Sequence, residues 1–228
     1  METLFGNSAK MPYLCFPIAF AMEEPALHWY ALKVFYNKVF EMEDLLHGMG
    51  IETFLAVDKR LLKGPAHLLA RKHIASLKEM GKADVRYIEE GALIYQRVPL
   101  ITSLLFFRTD PDSLPAVENA IKDANDKAKG FIYRTADWKA YAVIPDAQMK
   151  TFRLVTAKGA EGLDFFSSDD FTRFKEGRKV RVTGGPFKGA EGYIKRIKRD
   201  RRLLVSLEGI VAVATSYIPP ELLETVKE

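Results

Sequence analysis

Four histidines, one cysteine and two pairs of adjacent carboxylates carry the side chains best suited to chemistry here: His28, His47, His67, His73, Cys15, Glu89-Glu90 and Asp169-Asp170. Their spacing argues against catalysis. A zinc-binding helix needs two histidines at i and i+4 with a glutamate as base. No two of these histidines are so spaced, and His67 and His73 fall on different faces of a helical stretch. The acid pairs lie in turn-like segments and read as solvated. Cys15 sits among apolar neighbours with no base to draw off its proton. As the only cysteine it precludes an intramolecular disulfide and a cysteine-based zinc site. Neither GxxxxGK[ST] nor GxSxG occurs. The expectation is a protein that is not an enzyme and uses no metal and no cofactor.

The remaining chemistry is charge. The net charge is +4 over 228 residues, but it is unevenly placed. From Phe171 onward there are 13 lysines and arginines against 7 acidic residues, and the rest of the chain is slightly acidic. Within that quarter lies "RVTGGPFKGAEGYIKRIKR", residues 181–199. Gly184, Gly185, Gly189 and Gly192 permit positive φ or close approach, and Pro186 fixes a turn. Lys195, Arg196, Lys198, Arg199, Arg201 and Arg202 follow across a hairpin tip. Such a cluster suits RNA or an acidic protein surface.

Positioning these groups falls to two kinds of element. "HWYALKVF" reads as a buried strand, and Val39, Met42, Leu45, Leu46 and Met49 recur at helical spacing after it. "IETFLAV" is a strand, residues 60–82 hold a helix with Pro65 near its start, and "DVRYIEEGALIYQRV" is a hairpin turning near Glu90-Gly91. "TSLLFFRT" is an apolar strand. A helix starts near Pro115, "FIYRT" and "YAVI" are short strands, and "PDAQMKTFRLVTA" is a helix. This order predicts an α+β split βαβ sheet with helices against it. After residue 171 short strands and Gly/Pro turns predict a small β-barrel. The expected domains are an extension at 1–27, a sheet domain at 28–157 with an enlarged insertion at 60–96, a linker at 158–171, and the barrel at 172–228. "MPYLCFPIAFAM" is too short to span a membrane and contains two prolines. It reads as an arm or an added strand, with a signal peptide as the alternative because Lys10 precedes it.

The barrel sequence resembles the KOW motif of the NusG transcription-elongation proteins, an SH3-like barrel, on Gly184 through Gly189 with Gly192. "HWYALKVFYNKVFEMEDLL", "VPLITSLLFFR" and "AVIPDAQMKTFRLV" are similar, in the same order, to the opening strand and helix, central strand and closing helix of the NusG N-terminal domain. "WYAL…YNK" and "AVIPD" are most similar to the UpxY-type paralogues of Bacteroides. Ile101-Thr102-Ser103-Leu104 departs from the family's Phe-Pro-Gly-Tyr.

The resemblance implies a monomeric cytoplasmic antitermination factor that does not bind membrane. It implies RNA polymerase binding in an apolar groove by Ile101, Leu104, Phe106, Tyr133, Met149 and Phe152. It implies that Lys33 and Lys38 face the nucleic acid of the elongation complex. Phe187 and Lys188 would present the barrel to a small-subunit ribosomal protein or to Rho. The UpxY likeness implies capsular polysaccharide operons as the target. A general NusG-like factor, and an RNA- or ribosome-binding KOW protein without polymerase contact, remain open as alternatives.

Overall fold

The computed structural model describes residues 26–82, 84–124, 129–157, 161–167, 178–197, 199–207 and 209–226. Cys15, Asp169-Asp170, Lys198 and the expected extension up to residue 25 lie outside them. The fold is α+β, as expected.

The first unit is built on β1 (His28–Val34), which pairs with β6 (Leu104–Thr109) and β7 (Gly130–Ile132). With β2 (Glu52–Phe54) they form an antiparallel sheet in the order β2-β6-β1-β7. Strand side chains alternate between faces. β1 is apolar on both, the pattern of a strand covered on two sides. On one face Tyr30, Leu32, Val34, Leu105 and Phe107 join α1 (Val39–Gly48) and α3 (Leu114–Asp123). On the other, Trp29, Ala31, Leu104 and Phe106 meet α4 (Asp146–Thr156). The helical spacing read from the sequence matches α1: Val39, Met42 and Leu46 are buried.

The insertion is a small module of its own. It comprises β3 (Val57–Leu61), α2 (Gly64–Glu79), β4 (Tyr87–Glu90) and β5 (Leu93–Pro99), with sheet order β3-β5-β4. The hairpin turn falls at Gly91, whose φ is +61°, with Glu90 opposite Leu93. β3 differs from expectation, because it occupies residues 60 and 61, read as helical. Its partner β5 lies more than thirty residues away, a pairing local propensity does not contain.

"FIYRT" and "YAVI" form less strand than expected. β7 stops at Ile132, and beyond it only the bridges Arg134–Tyr141 and Trp29–Ile144 form. Backbone hydrogen bonds such as Tyr133 N to the Ala31 carbonyl and Ala142 N to that of Tyr133 hold this loop together with side chains. Tyr141 Oη donates to Glu118 Oε2 at 2.6 Å, and the Arg134 guanidinium lies 4.4 Å from the Tyr141 ring centroid. The Tyr141 hydroxyl, helped by Lys122 and Arg134, holds the Glu118 carboxyl below its ordinary range. A carboxylate depressed in the folded state contributes stability above its unfolded pKa and loses it as pH falls further. The urea midpoint should therefore drop between about pH 5 and pH 3, and Tyr141→Phe should flatten that dependence. An unchanged slope in the variant would remove the role given to this hydrogen bond.

The second unit is antiparallel, ordered β13-β9-β10-β11-β12-β8. Its strands are β8 (Asp164–Ser167), β9 (Lys179–Val182), β10 (Glu191–Ile197), β11 (Asp200–Leu207), β12 (Val211–Tyr217) and β13 (Leu223–Thr225). The expected linker thus carries a strand: Asp164 to Ser167 pair with Ala214 to Val211. Gly and Asp flank that strand and gave the segment its linker-like look.

Candidate interaction surfaces

Helix α4 is where the two units meet. Met149, Thr151, Phe152, Val155 and Thr156 are buried, and Leu154 is partly buried against the same cluster. At 3.6 residues per turn these positions cover roughly 220° of the helix circumference, wider than the stripe a helix buries against one sheet. The excess arc faces the barrel. α4 lies against β11, and a Cβ placed on Gly189 would lie 4.0 Å from Leu154 Cδ2. One apolar cluster runs from Trp29, Leu104 and Phe106 through Met149, Phe152 and Val155 to Val180, Phe187, Leu203 and Val205.

The six residues expected to grip polymerase are therefore brought together, but not as an open groove. Leu104, Phe106, Met149 and Phe152 are buried. The Phe106 and Phe152 rings stand 5.2 Å apart, and Phe54 lies 6.2 Å and 6.5 Å from them. Those rings belong to the sheet–helix core. Ile101 and Tyr133 are half-buried at its rim, and burial raises the Tyr133 hydroxyl's pKa. An aspartate at Leu104 would damage the fold before it tested a contact, whereas Ile101 is a usable probe. Phe54 and Leu154 were missed in the sequence: one sits on a three-residue strand, and the other is off the stripe facing the sheet. Arg153 caps this region, its guanidinium 5.1 Å from the Phe54 centroid and 5.5 Å from that of Trp29.

Lys33 and Lys38 flank the exposed end of β1. Lys33 Nζ donates to Ser103 Oγ at 3.0 Å, and Lys38 lies 3.4 Å from Glu41.

The barrel's basic hairpin places Lys195 opposite Arg202 and Arg196 opposite Arg201. Directly opposed like charges destabilise a strand pair. Arg202 is set apart, because its guanidinium is held 2.5 Å from Asp164 on β8. Arg196, Arg199 and Arg201 are exposed, and Arg199 has φ +77°. Phe187 departs from expectation. It is 7% exposed and joins the apolar cluster, while Lys188 points to solvent.

Three of the four histidines make local contacts. His47 Nε2 lies 2.7 Å from Thr53 Oγ1, His73 Nε2 2.8 Å from Asp84 Oδ2, and His67 Nε2 3.2 Å from the Ala92 carbonyl. Among the described residues no group of three His, Cys, Asp or Glu could hold a metal ion, and no helix is long and apolar enough to cross a membrane.

Residues 176–208 match the KOW motif. Among solved structures the chain is similar to one described as "Domain interaction in Thermotoga maritima NusG". That likeness is 14% identical, covers 89% of this chain and 98% of the other, and has a TM-score of 0.39. No curated protein matches the chain in sequence.

Proposed function

We propose that the chain is a NusG-like transcription elongation factor of the antitermination type, binding RNA polymerase through its N-terminal unit. The supporting observation is the continuous apolar core that joins the sheet, α4 and the KOW barrel. An apolar face large enough to hold the barrel is large enough to hold a partner's helix. In this reading the barrel shields that face until it is displaced, and the connection at 157–163 keeps the freed barrel at high effective concentration. The displaced barrel offers Lys188 to a small-subunit ribosomal protein or to Rho. The resemblance to UpxY-type paralogues supports surface-polysaccharide operons as the target.

The basic hairpin favours a second reading, an RNA- or ribosome-binding KOW protein that does not touch polymerase. Its opposed Arg196 and Arg201 would be relieved by a phosphate.

One capture experiment separates the two. Purified RNA polymerase is offered to the full chain, to Ile101→Asp and to Phe187→Ala. Ile101→Asp should abolish capture. Phe187→Ala loosens the docking from the barrel side, leaves the N-terminal face intact, and should raise capture about tenfold, the change that 1.4 kcal/mol of weakened docking would give. Failure of all three to capture polymerase overturns the first reading and leaves the RNA-binding one.

A further inference from the structure

We propose that the outward side of α2, in the inserted module, docks an acidic amphipathic helix of a partner protein. This surface is separate from the apolar cluster shared by the sheet, α4 and the barrel.

α2 is under-used by its own module. It runs for 16 residues yet buries only Ala70 and Ile74, which pack on Ile94 of β5. A surface helix ordinarily turns charged residues to solvent and its apolar ones inward. Here Leu68 is 60% exposed, Leu69 is 69% exposed, and Met80, at the helix's C-terminal cap, is 58% exposed. At 3.6 residues per turn Leu68, Leu69, Lys72, Ala75 and Ser76 all project away from Ala70 and Ile74. Ala75 and Ser76 are small and exposed, so an opposing helix can seat its own side chains over them. An apolar side left open in this way marks a binding surface.

Charge selects the occupant. Residues 57–99 carry nine lysines and arginines against five acidic residues, so the module is basic. Three of those acids are already engaged: Glu89 by Lys78, Glu90 by Lys59 and Asp84 by His73. Lys63 at the start of α2, Arg71 and Lys72 at its middle and Lys82 just past its end are all exposed. None of these four makes an ion pair among the described residues. α2 itself carries one acid, Glu79.

The placement of Lys72 narrows the choice. It projects between Leu68 and Leu69, within the apolar side. Sunk among acyl chains its ammonium would be costly, and a membrane-surface helix keeps its cations off its apolar face. A phosphate backbone would satisfy the cations but leave the leucines and Met80 without apolar cover. A second copy of the chain would set four more free cations against these four. A helix with an apolar stripe flanked by carboxylates meets both halves of the surface.

The test is fluorescence anisotropy of the full chain with a labelled synthetic helix of about three heptads, leucine at a and d and glutamate at e and g. The same peptide with lysine for glutamate, and an oligoglutamate of equal length, are the controls. The glutamate–leucine peptide should bind at least about tenfold more tightly than either. Leu68→Gln with Leu69→Gln should weaken it by roughly tenfold, and Arg71→Glu with Lys72→Glu by about as much. The new residues are good helix formers at exposed positions, so thermal melts should be unchanged. Equal affinity for either control, variants that bind like wild type, or no binding at low salt would overturn this assignment. So would tighter binding to phosphatidylglycerol vesicles or to duplex DNA that the same substitutions abolish, which would give the surface to phosphate instead.

Discussion

Arg97→Met is expected to lower the free energy of unfolding by about 3–5 kcal/mol, the cost of stranding a buried charge. Glu43 on α1 is only 3% exposed. Arg97 on β5 meets it with two hydrogen bonds, Nη1 to Oε2 at 2.8 Å and Nη2 to Oε1 at 3.0 Å. The same Nη1 donates to the Val85 carbonyl at 2.5 Å, and the guanidinium lies 5.5 Å from the Phe40 centroid. Removing Arg97 leaves the carboxylate desolvated and unpaired. Removing both charges, in Glu43→Leu with Arg97→Met, should recover most of the loss, because the desolvation cost leaves with them. The damage should be local. The inserted module has a core of Ala70, Ile74 and Ile94, too small to stand unaided. Hydrogen exchange should show residues 57–99 opening while the β1–β6 ladder stays protected. A variant within about 1 kcal/mol of wild type in urea would show that the pair does not anchor the module.

The elements of this fold were legible where one segment carried its own pattern. α1 and α4 announce themselves by apolar spacing. β6 does so by an unbroken Leu-Leu-Phe-Phe, and the Glu90-Gly91 turn by its glycine. What could not be read was whatever depends on a distant partner. Nothing near Val57 indicates that it pairs with Pro99, and Asp164 to Ser167 become a strand only beside β12. The Glu43–Arg97 bond joins an unremarkable helix glutamate to a hairpin arginine across 54 positions. The site was legible as a set of residue types, not as a surface. Leu104 reads equally well as groove or core and Phe106 more readily as core, and the helix α4 that buries both is encoded elsewhere in the chain. The outward side of α2 was hidden for the opposite reason. Leu68, Leu69 and Met80 look like a helix's core stripe, but α2 buries only Ala70 and Ile74, which leaves all three in solvent.

Phe187→Ala should unfold the barrel's end rather than merely silence a contact, at a cost of about 3–5 kcal/mol. The KOW loop turns on two glycines, Gly185 at φ +73° and Gly189 at φ +90°, conformations costly to any residue with a Cβ. Lys188 N donates to the Gly185 carbonyl at 3.2 Å, Gly189 N to that of Val182 at 2.8 Å, and Ala190 N to that of Phe187 at 3.0 Å. This closed turn sends Phe187 inward and Lys188 outward. A phenyl ring lost from the shared cluster leaves a cavity beside both units, so the docked barrel should loosen as well as destabilise. Phe187→Leu keeps most of the volume and should cost less than about 1.5 kcal/mol. Lys188→Glu should leave the melting temperature unchanged while reversing the charge offered to any partner. If Phe187→Ala instead melts like wild type yet loses a barrel-bound protein, the ring is a presented contact and its burial against the cluster is not its working position. The two variants thus divide the loop between a residue that builds it and a residue that displays it.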